Sequence, residues 1–530
     1  MKQTPEGTLN YTFDLAGNVA SIYSSSVHGA SMSYTYDTLN RLSTVVDNNL
    51  PAGQNTTTYA YDTASNLVTV TDPNQLQSTI QYDSLNRLTS LNTAPPNSTP
   101  VSSYSYTLGA TGNRTGATEQ TGRTLTWNYD GIYRLTSEAV GADPSGANGE
   151  VDYTLDPVGN RTSVNSSLPG VQSVTLASFN LDDWLARENY DSNGNTTYTG
   201  GRSFVYDSED HMTSMTGNGE TVTMIYDGFG NRVSKTANGV TTKYLVEDDV
   251  NPTGLPQVFE ESVNGVVQRS YTYGLQRISE SLSPAVTGNS TWTPSFYGYD
   301  GMGSVRQLTG LDEKVTDNYN YDAFGNLLSS PGPTPNNYLY RGEQYDTNLN
   351  LYYFRARYYN PQTGRFMSRD PEDGKTIDPQ SLHKYLYAGG DPVNRIDPMG
   401  REAQAEYGEG SIGTYDELES AAGKYGRNGL ENHHLIPQSL NCLFDVTSGK
   451  MLAIAILPGA TSHGFYDQEW NDWWGELFGY QTGRSCSDQL VTLQEVFAQA
   501  YIIYAEEPDI MAALLAWEAG IAAQEADGDL

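Results

Sequence analysis

The 530-residue chain is poor in cysteine, histidine and positive charge, and it has no long apolar run. Two cysteines exclude a disulfide-dense scaffold, so Cys442 and Cys486 form at most one bridge or stay free thiols. The 29 Lys and Arg residues against 63 Asp and Glu residues give a net charge of −34, which argues against a nonspecific polyanion-binding surface. No apolar stretch reaches the roughly 20 residues that span a bilayer. The start, Met1 to Glu6, lacks the apolar core of a signal peptide, so the chain looks like the C-terminal part of a longer protein or a product without a delivery module.

Tyrosine is abundant instead, with 39 Tyr against 13 Phe, and it recurs in a Tyr-Asp signature. Two copies are Tyr36-Asp37-Thr38-Leu39-Asn40-Arg41 and Tyr226-Asp227-Gly228-Phe229-Gly230-Asn231-Arg232. Most neighbouring copies lie 16 to 26 residues apart. A fixed-period repeat determines the architecture of a chain. The Asp positions are 14, 37, 62, 83, 130, 156, 191, 207, 227, 300, 322 and 346.

Each copy predicts one β-hairpin. Tyr-x-Tyr alternation places both rings on one face of a strand, and Asp-x-x-Gly-Asn is turn chemistry because Asp bonds its own backbone and Gly or Asn accepts positive φ. Hairpins are marginal alone, but a stack buries a continuous Tyr-rich face. We interpret the tyrosines as packing residues, with carbohydrate binding by exposed tyrosines as the alternative, and we assign no catalysis to residues 1–330.

The repeats resemble the YD repeats of RHS proteins, which are related to teneurins and to the shell of bacterial insecticidal toxin complexes. Residues 338–400 resemble the RHS-repeat-associated core in Tyr340-Arg341-Gly342-Glu343-Gln344-Tyr345-Asp346, in Leu351 to Pro361 and in Gly364 to Pro371. The resemblance implies a mainly β fold, in which residues 1–337 form a spiralling β-sheet shell that closes into a hollow cocoon around a variable C-terminal toxin.

The core ends in Asp391-Pro392-Val393-Asn394-Arg395-Ile396-Asp397-Pro398-Met399-Gly400. In the resembled family two Asp-Pro-x-Gly motifs form an aspartyl autoprotease, in which two carboxylates share a proton and serve as base and acid. Asp370 matches the first motif, which is one residue longer here, and Asp397 matches the second. The resemblance implies cleavage near Arg401-Glu402, although Arg401 stands where the family has Leu. The alternative is that these turns only close the barrel.

After Gly400 the Tyr-Asp pattern stops. Residues 401–420 are acidic and predict a linker, and residues 421–530 predict a small α/β domain with amphipathic helices over 488–504 and 508–523. Residues 401–530 carry a net charge of −16. Three of the six His lie here, His433 and His434 in Glu431-Asn432-His433-His434-Leu435-Ile436-Pro437, and His463 downstream.

This His-His-Leu-Ile-Pro string with a later His resembles the HNH/endonuclease VII superfamily and its toxin branch, which has a ββα-metal fold. The resemblance implies His434 as the general base and His433 and His463 as ligands of one divalent metal, Mg²⁺ or Zn²⁺. Asn432 and Asn441 are candidates to orient the base, and the two adjacent His could exchange roles. The alternative is a half-buried structural pair. The negative charge of residues 401–530 should repel nucleic acid, which is an objection to a nuclease. A bound dication, however, dominates the electric field close to its own site.

We therefore expect a polymorphic toxin whose shell encloses a metal-dependent nuclease. The implied partners are a nucleic acid substrate, DNA ahead of RNA, a cognate immunity protein and a secretion apparatus. The implied setting is secretion or the cell surface, with delivery into target cells in interbacterial competition. A second hypothesis is a non-enzymatic YD-repeat adhesion protein whose C-terminal domain is inactive or binds a partner. A deamidase or transferase toxin ranks last, because no Cys–His pattern supports it.

Overall fold

The computed structural model describes residues 1–175, 178–374 and 379–401, together with the backbone of short strands at 404–405, 412–414, 431–434 and 452–456. Its contacts divide the chain into two units. The first unit contains residues 1–62, 67–82 and 87–405, and the second contains residues 63–66, 83–86 and 406–530. No helix in the described part of the chain is long and apolar enough to cross a membrane.

The first large sheet has 16 strands, and each strand pairs antiparallel with the next one in the chain. Its strands are Lys2–Thr4 (β1), Gly7–Phe13 (β2), Val19–Ser24 (β3), Ser31–Tyr36 (β4), Leu42–Asp47 (β5), Thr56–Tyr61 (β6), Leu67–Thr71 (β7), Gln77–Tyr82 (β8), Leu88–Ala94 (β9), Ser102–Leu108 (β10), Arg114–Glu119 (β11), Thr124–Tyr129 (β12), Leu135–Gly141 (β13), Gly149–Leu155 (β14), Arg161–Ser166 (β15) and Val174–Thr175 (β16).

A second sheet of 13 strands follows the same consecutive antiparallel order. Its strands are Asn189–Tyr190 (β17), Thr196–Thr199 (β18), Arg202–Tyr206 (β19), Met212–Gly217 (β20), Glu220–Tyr226 (β21), Arg232–Ala237 (β22), Val240–Glu247 (β23), Gln257–Val263 (β24), Val266–Tyr273 (β25), Arg277–Leu282 (β26), Thr293–Tyr299 (β27), Val305–Thr309 (β28) and Val315–Asn318 (β29). A short helix, Pro284–Thr287 (α1), interrupts it.

Smaller sheets complete the description. They contain Asn320–Tyr321 (β30) with Leu327–Ser329 (β31); Gln344–Asp346 (β32), Leu351–Phe354 (β33), Arg357–Asn360 (β34) and Arg365–Phe366 (β35); Arg395–Ile396 (β36) with Gln404–Ala405 (β37); and Ile412–Thr414 (β38), Glu431–His434 (β39) and Leu452–Ile456 (β40). Three 3₁₀ turns lie at Tyr340–Gly342, Pro379–Leu382 and Tyr387–Gly390. Two of these short strands, β37 and β38, lie in the segment predicted as a linker.

The Tyr-Asp copies form hairpins of the predicted kind. In the copy at Asp37, the carboxylate accepts hydrogen bonds from the backbone N–H groups of Leu39 and Arg41, at 2.9 and 3.0 Å. Asn40 has a positive φ of 64° in this turn, and Gly230 has 82° at the same place in a later copy. Both residues accept the left-handed conformation at low cost, which explains the Gly or Asn of the repeat.

A hydroxyl contact between neighbouring hairpins explains why the repeat uses Tyr and not Phe. The Tyr directly before the repeat Asp donates its O–H to a backbone carbonyl of the preceding hairpin, as Tyr36 does to Val19 at 3.0 Å. Tyr61 reaches Leu42 in the same way. Further copies follow in Tyr82, Tyr129, Tyr206, Tyr226, Tyr299 and Tyr321.

Side chains from both large sheets and from the core segment share one hydrophobic cluster, which includes Met32, Tyr271 and Tyr359. A second cluster surrounds Trp127. Asp346, which belongs to the Tyr-Asp series, has another role, because its buried carboxylate accepts from Arg232 Nη1 and Lys235 Nζ, both at 2.9 Å. Removing one partner of such a buried pair is strongly destabilising.

Candidate functional site

The loop that ends the core is held between two short strands. Arg395 pairs with Ala405 across β36 and β37, so the boundary motif at residues 397–400 lies between two paired strands. The turn between β33 and β34 contacts the backbone carbonyls of this loop: Ala356 N–H donates to the carbonyl of Met399 at 3.2 Å, and the Arg355 side chain donates from Nη1 to the carbonyl of Pro398. The boundary motif therefore has a fixed position on the core.

Arg357 brings the two predicted aspartates together. Its Nη2 atom lies 2.7 Å from Oδ2 of Asp370 and 3.2 Å from Oδ2 of Asp397. The guanidinium is 2% exposed and packs over the ring of Phe366, with 3.7 Å between its Cζ atom and the ring centroid. Sequence reasoning expected the two carboxylates to act together, and Arg357 is a contact that they share.

The same groups contact the peptide bond between Gly400 and Arg401 on both sides. The carbonyl of Gly400 accepts a hydrogen bond from Nε of Arg357. The N–H of Arg401 donates to Oδ1 of Asp397 at 2.8 Å. Charge-assisted hydrogen bonds of this kind are stronger than neutral ones. One peptide bond therefore has a cation at its oxygen and a carboxylate at its nitrogen.

Gly400 allows the close approach. Its φ is +64°, and a Cβ atom added there would lie 2.4 Å from the carbonyl oxygen of Phe354 and 3.2 Å from the amide nitrogen of Arg357. These are backbone atoms, which cannot move aside cheaply. A side chain at this position would therefore displace the loop from the guanidinium.

Asp370 differs from an ordinary surface carboxylate. The pKa of Asp370 is raised to about 6, chiefly by burial; the Arg357 guanidinium lowers it, and the nearby Asp397 carboxylate raises it. Its backbone is fixed by a 2.8 Å hydrogen bond from its N–H to the carbonyl of Lys384, and its Oδ1 accepts from the N–H of Glu372 at 3.0 Å. A proton is therefore exchangeable here near pH 6.

The histidine cluster is described only in part. Asn432, His433 and His434 are consecutive residues of β39, and this strand pairs antiparallel with β40, with His433 opposite Ile454 and His434 opposite Ala453. His463 and Asn441 lie outside the described residues, as do both cysteines and the predicted helices over 488–504 and 508–523. Among the residues that are described, no three His, Cys, Asp or Glu are placed to hold a metal ion.

Comparison with known proteins agrees with the repeat architecture. A family model described as the teneurin YD-shell matches residues 1–106 and 111–393, which is more than half of the chain. The chain belongs to the teneurin YD-shell family. The match ends at residue 393, before the Asp397 motif.

Curated relatives of this YD shell include two bacterial proteins. The tRNA3(Ser)-specific nuclease WapA of Bacillus spizizenii is 35% identical over 249 residues, and the tRNA nuclease WapA of Bacillus subtilis is 34% identical over 249 residues. Each match covers 45% of this chain and 10% of the relative. The chain thus spans about a tenth of the length of these relatives, and the similarity lies in the shell region.

Solved structures share the fold. The crystal structure of TcdB2-TccC3 superposes with a TM-score of 0.61 at 18% identity, over 74% of this chain and 22% of that chain. The Photorhabdus luminescens Tc holotoxin pore gives a TM-score of 0.62 at 16% identity, over 77% of this chain and 22% of that chain. The expectation of a mainly β YD-repeat shell is confirmed.

Proposed function

We propose that this YD-shell protein hydrolyses its own backbone between Gly400 and Arg401 and so separates the shell from a C-terminal toxin domain. The observation that carries the proposal is the position of Arg357, which contacts Asp370, Asp397 and the carbonyl of Gly400 at once. The resemblance at the sequence level favoured a cut near Arg401-Glu402, and these contacts favour the preceding bond.

Each group has a step to perform in this hydrolysis. The Arg357 guanidinium stabilises the negative charge that develops on the Gly400 oxygen when water attacks the carbonyl carbon. The two carboxylates hold one proton between them, so that Asp370 stays protonated while the Asp397 carboxylate takes a proton from the attacking water. Asp397 lies at the Arg401 nitrogen, where it delivers the proton that the leaving amine needs. Water adds OH to Gly400 and H to Arg401, which balances the reaction.

Substitution of the carboxylates tests this proposal. The purified wild-type chain should separate into fragments of residues 1–400 and 401–530, and both Asp397→Asn and Asp370→Asn should remain intact. Asp373→Asn is the matched control, because Asp373 is an exposed carboxylate three residues from Asp370. A wild-type chain that stays intact, or an Asp397→Asn chain that is cut as fast as wild type, contradicts the proposal.

We propose further that the released domain is a nuclease. Two observations support this step: the WapA relatives of the shell are named tRNA nucleases, and His433 and His434 follow one another on a strand, as in the resembled HNH branch. In this proposal His434 is the general base, His433 and His463 bind one divalent metal, and Asn432 and Asn441 orient the base. The metal, when bound, would stabilise charge on the phosphate.

The nuclease proposal is tested on the full chain with plasmid DNA and with total tRNA, each with Mg²⁺, Mn²⁺ or Zn²⁺ and with a chelator. We expect metal-dependent cleavage of one substrate and its loss in His434→Ala. His28→Ala, a histidine of the shell, is the matched control. If neither nucleic acid is cut under any metal condition, the alternative of a YD-repeat adhesion protein with a partner-binding C-terminal domain is favoured.

Under this proposal the shell encloses the toxin domain and protects the producing cell, and a secretion apparatus delivers the protein from the surface into target cells. The net charge of −16 over residues 401–530 favours a basic immunity protein as the neutralising partner.

A further inference from the structure

The two large sheets are separated by a segment that departs from the repeat. Strand β16 ends at Thr175 and β17 begins at Asn189. Between them Asn180 takes the place of the repeat Asp, and its Oδ1 accepts from the N–H groups of Asp182 and Trp184, both at 2.9 Å. The turn is preserved, but a Trp occupies the position that holds Arg or Asn in most copies.

Trp184 forms a fixed aromatic pair with Tyr190. Their rings are nearly parallel, with an angle of 10° and 5.0 Å between centroids. Nε1 of Trp184 donates to the hydroxyl of Tyr385 at 2.8 Å, and the hydroxyl of Tyr190 donates to Oε2 of Glu188 at 2.8 Å. Both rings are half-buried. Because each ring is also held by a hydrogen bond, the pair is oriented before any ligand binds.

A cleft of about 570 Å³ lies beside this pair. The two rings line it together with polar groups of Asn180, Glu188, Asn189 and Thr197. The Asn189 residue is exposed, and Thr199 fixes the carboxylate of Glu188 by a hydrogen bond of 2.9 Å to Oε1. The volume lies within the range of small-molecule sites, and the lining combines an aromatic surface with a few oriented polar groups.

The geometry excludes several ligand classes. Rings stacked at 5.0 Å leave no room for a group between them, and parallel rings do not surround a cation as an aromatic cage does. Residues 178–199 contain four carboxylates and one Arg, and the Glu188 carboxylate lines the cleft itself, which disfavours a phosphate or another anion even with the buried Arg365 nearby. A ligand that suits this lining is neutral, offers hydroxyl groups to the polar side chains and has a flat C–H face for the rings.

We propose that the cleft at Trp184 and Tyr190 binds a neutral saccharide. The C–H face of a pyranose ring packs on the negative face of the aromatic pair, and its hydroxyl groups bond to Glu188, Asn189 and Thr197. The YD shell thereby gains a site for a surface glycan, independent of cleavage at Gly400 and of any nuclease activity.

Calorimetric titration of the full chain with maltotriose, chitotriose and galactotriose tests the proposal. At least one neutral trisaccharide should bind with a dissociation constant below about 5 mM. Asn189→Ala, on an exposed residue, should weaken binding about fivefold or more at an unchanged thermal midpoint. Glu188→Gln, which keeps an acceptor oxygen for Tyr190, should also weaken binding about fivefold or more. Trp184→Ala should abolish binding. Tyr198→Ala removes an exposed aromatic outside the cleft lining and should leave binding within about twofold.

Three results overturn the proposal. The first is that none of the three sugars binds. The second is that a sugar binds but Asn189→Ala and Glu188→Gln do not weaken it. The third is that adenosine monophosphate binds more tightly than every sugar, which assigns the ring pair to base stacking.

Discussion

The backbone N–H of Arg401 donates a hydrogen bond of 2.8 Å to Oδ1 of Asp397. This contact places a carboxylate at the nitrogen of one peptide bond, and the Arg357 guanidinium lies at the carbonyl oxygen of the same bond. Asp397 and Arg357 therefore contact the two ends of the peptide bond between Gly400 and Arg401. Arg357 contacts Asp370 as well, so a change at Arg357 affects both carboxylates and the peptide bond.

Arg357→Lys should slow self-cleavage by about 100-fold, because a Lys ammonium cannot contact Asp370, Asp397 and the Gly400 carbonyl together. The measurement is the rate at which the intact chain disappears on a gel after purification under conditions that block cleavage. Arg369→Lys changes a neighbouring exposed Arg and serves as the control. Equal rates in Arg357→Lys and in wild type would exclude a catalytic contribution from the guanidinium.

Self-cleavage should depend on pH through Asp370. Its pKa is raised to about 6, so this group keeps its proton below that pH and loses it above. Because the proposed pair works with one shared proton, the cleavage rate should fall as the pH rises through about 6. Cleavage rates across the pH range report the inflection, and Asp373→Asn should retain it. A rate that increases through this range would reverse the assigned roles.

The interstrand hydroxyl contacts should contribute measurably to shell stability. Tyr36→Phe removes the hydrogen bond to the Val19 carbonyl and should lower the free energy of unfolding by about 1 kcal/mol. The triple variant Tyr36→Phe, Tyr61→Phe, Tyr82→Phe should lose about 3 kcal/mol, since the sites lie in separate hairpins. The exposed Tyr23 provides the control, and Tyr23→Phe should change stability by less than about 0.5 kcal/mol in urea unfolding.

A buried carboxylate pair should make the shell less stable at alkaline pH. Glu138 accepts hydrogen bonds from Ala323 N–H and Trp127 Nε1, at 2.7 and 3.2 Å. Burial, and then the nearby Asp322, raise the pKa of Glu138 from 4.5 to about 7. The folded state therefore holds a proton that the unfolded state releases, and stability is lost as the pH rises through about 7.

Urea unfolding at about pH 5 and about pH 8.5 should show this loss, on the order of 1–3 kcal/mol for the Glu138 contribution. Glu138→Gln should reduce the difference between the two pH values, because it removes the titrating group. Glu150→Gln, on an exposed residue of β14, should leave the difference unchanged. An identical pH dependence in Glu138→Gln and wild type would assign the effect to other groups.

The repeat could be predicted from sequence because its determinants are local. Asp37, Asn40 and Arg41 form one turn, and the Tyr-x-Tyr alternation sets which side chains are buried. The hydroxyl contact from Tyr36 to Val19 could not be predicted in the same way, because it depends on how two hairpins are aligned. The excess of Tyr over Phe was the available signal for it.

The candidate site shows the same limit. The Asp-Pro motifs predict Asp370 and Asp397, but Arg357 stands in the core signature with nothing in the sequence that marks it as part of a site. Its role depends on contacts across 13 and 40 residues of sequence, which no local pattern reveals. The cleft at Trp184 was also missed, because Asn180 replaces the Asp of the signature. An Asn-x-x-Asp-Trp reading of the repeat would have located it.

The most direct measurement is the mass of the fragments that the purified full chain produces. Intact-mass spectrometry distinguishes a cut after Gly400 from a cut after Arg401, because the two C-terminal fragments differ by one Arg. We expect a fragment that begins with Arg401 in wild type and in Asp373→Asn, and an uncut chain in Asp397→Asn. A wild-type chain of full mass, or a C-terminal fragment that begins at Glu402, would contradict the assignment of the Gly400–Arg401 bond.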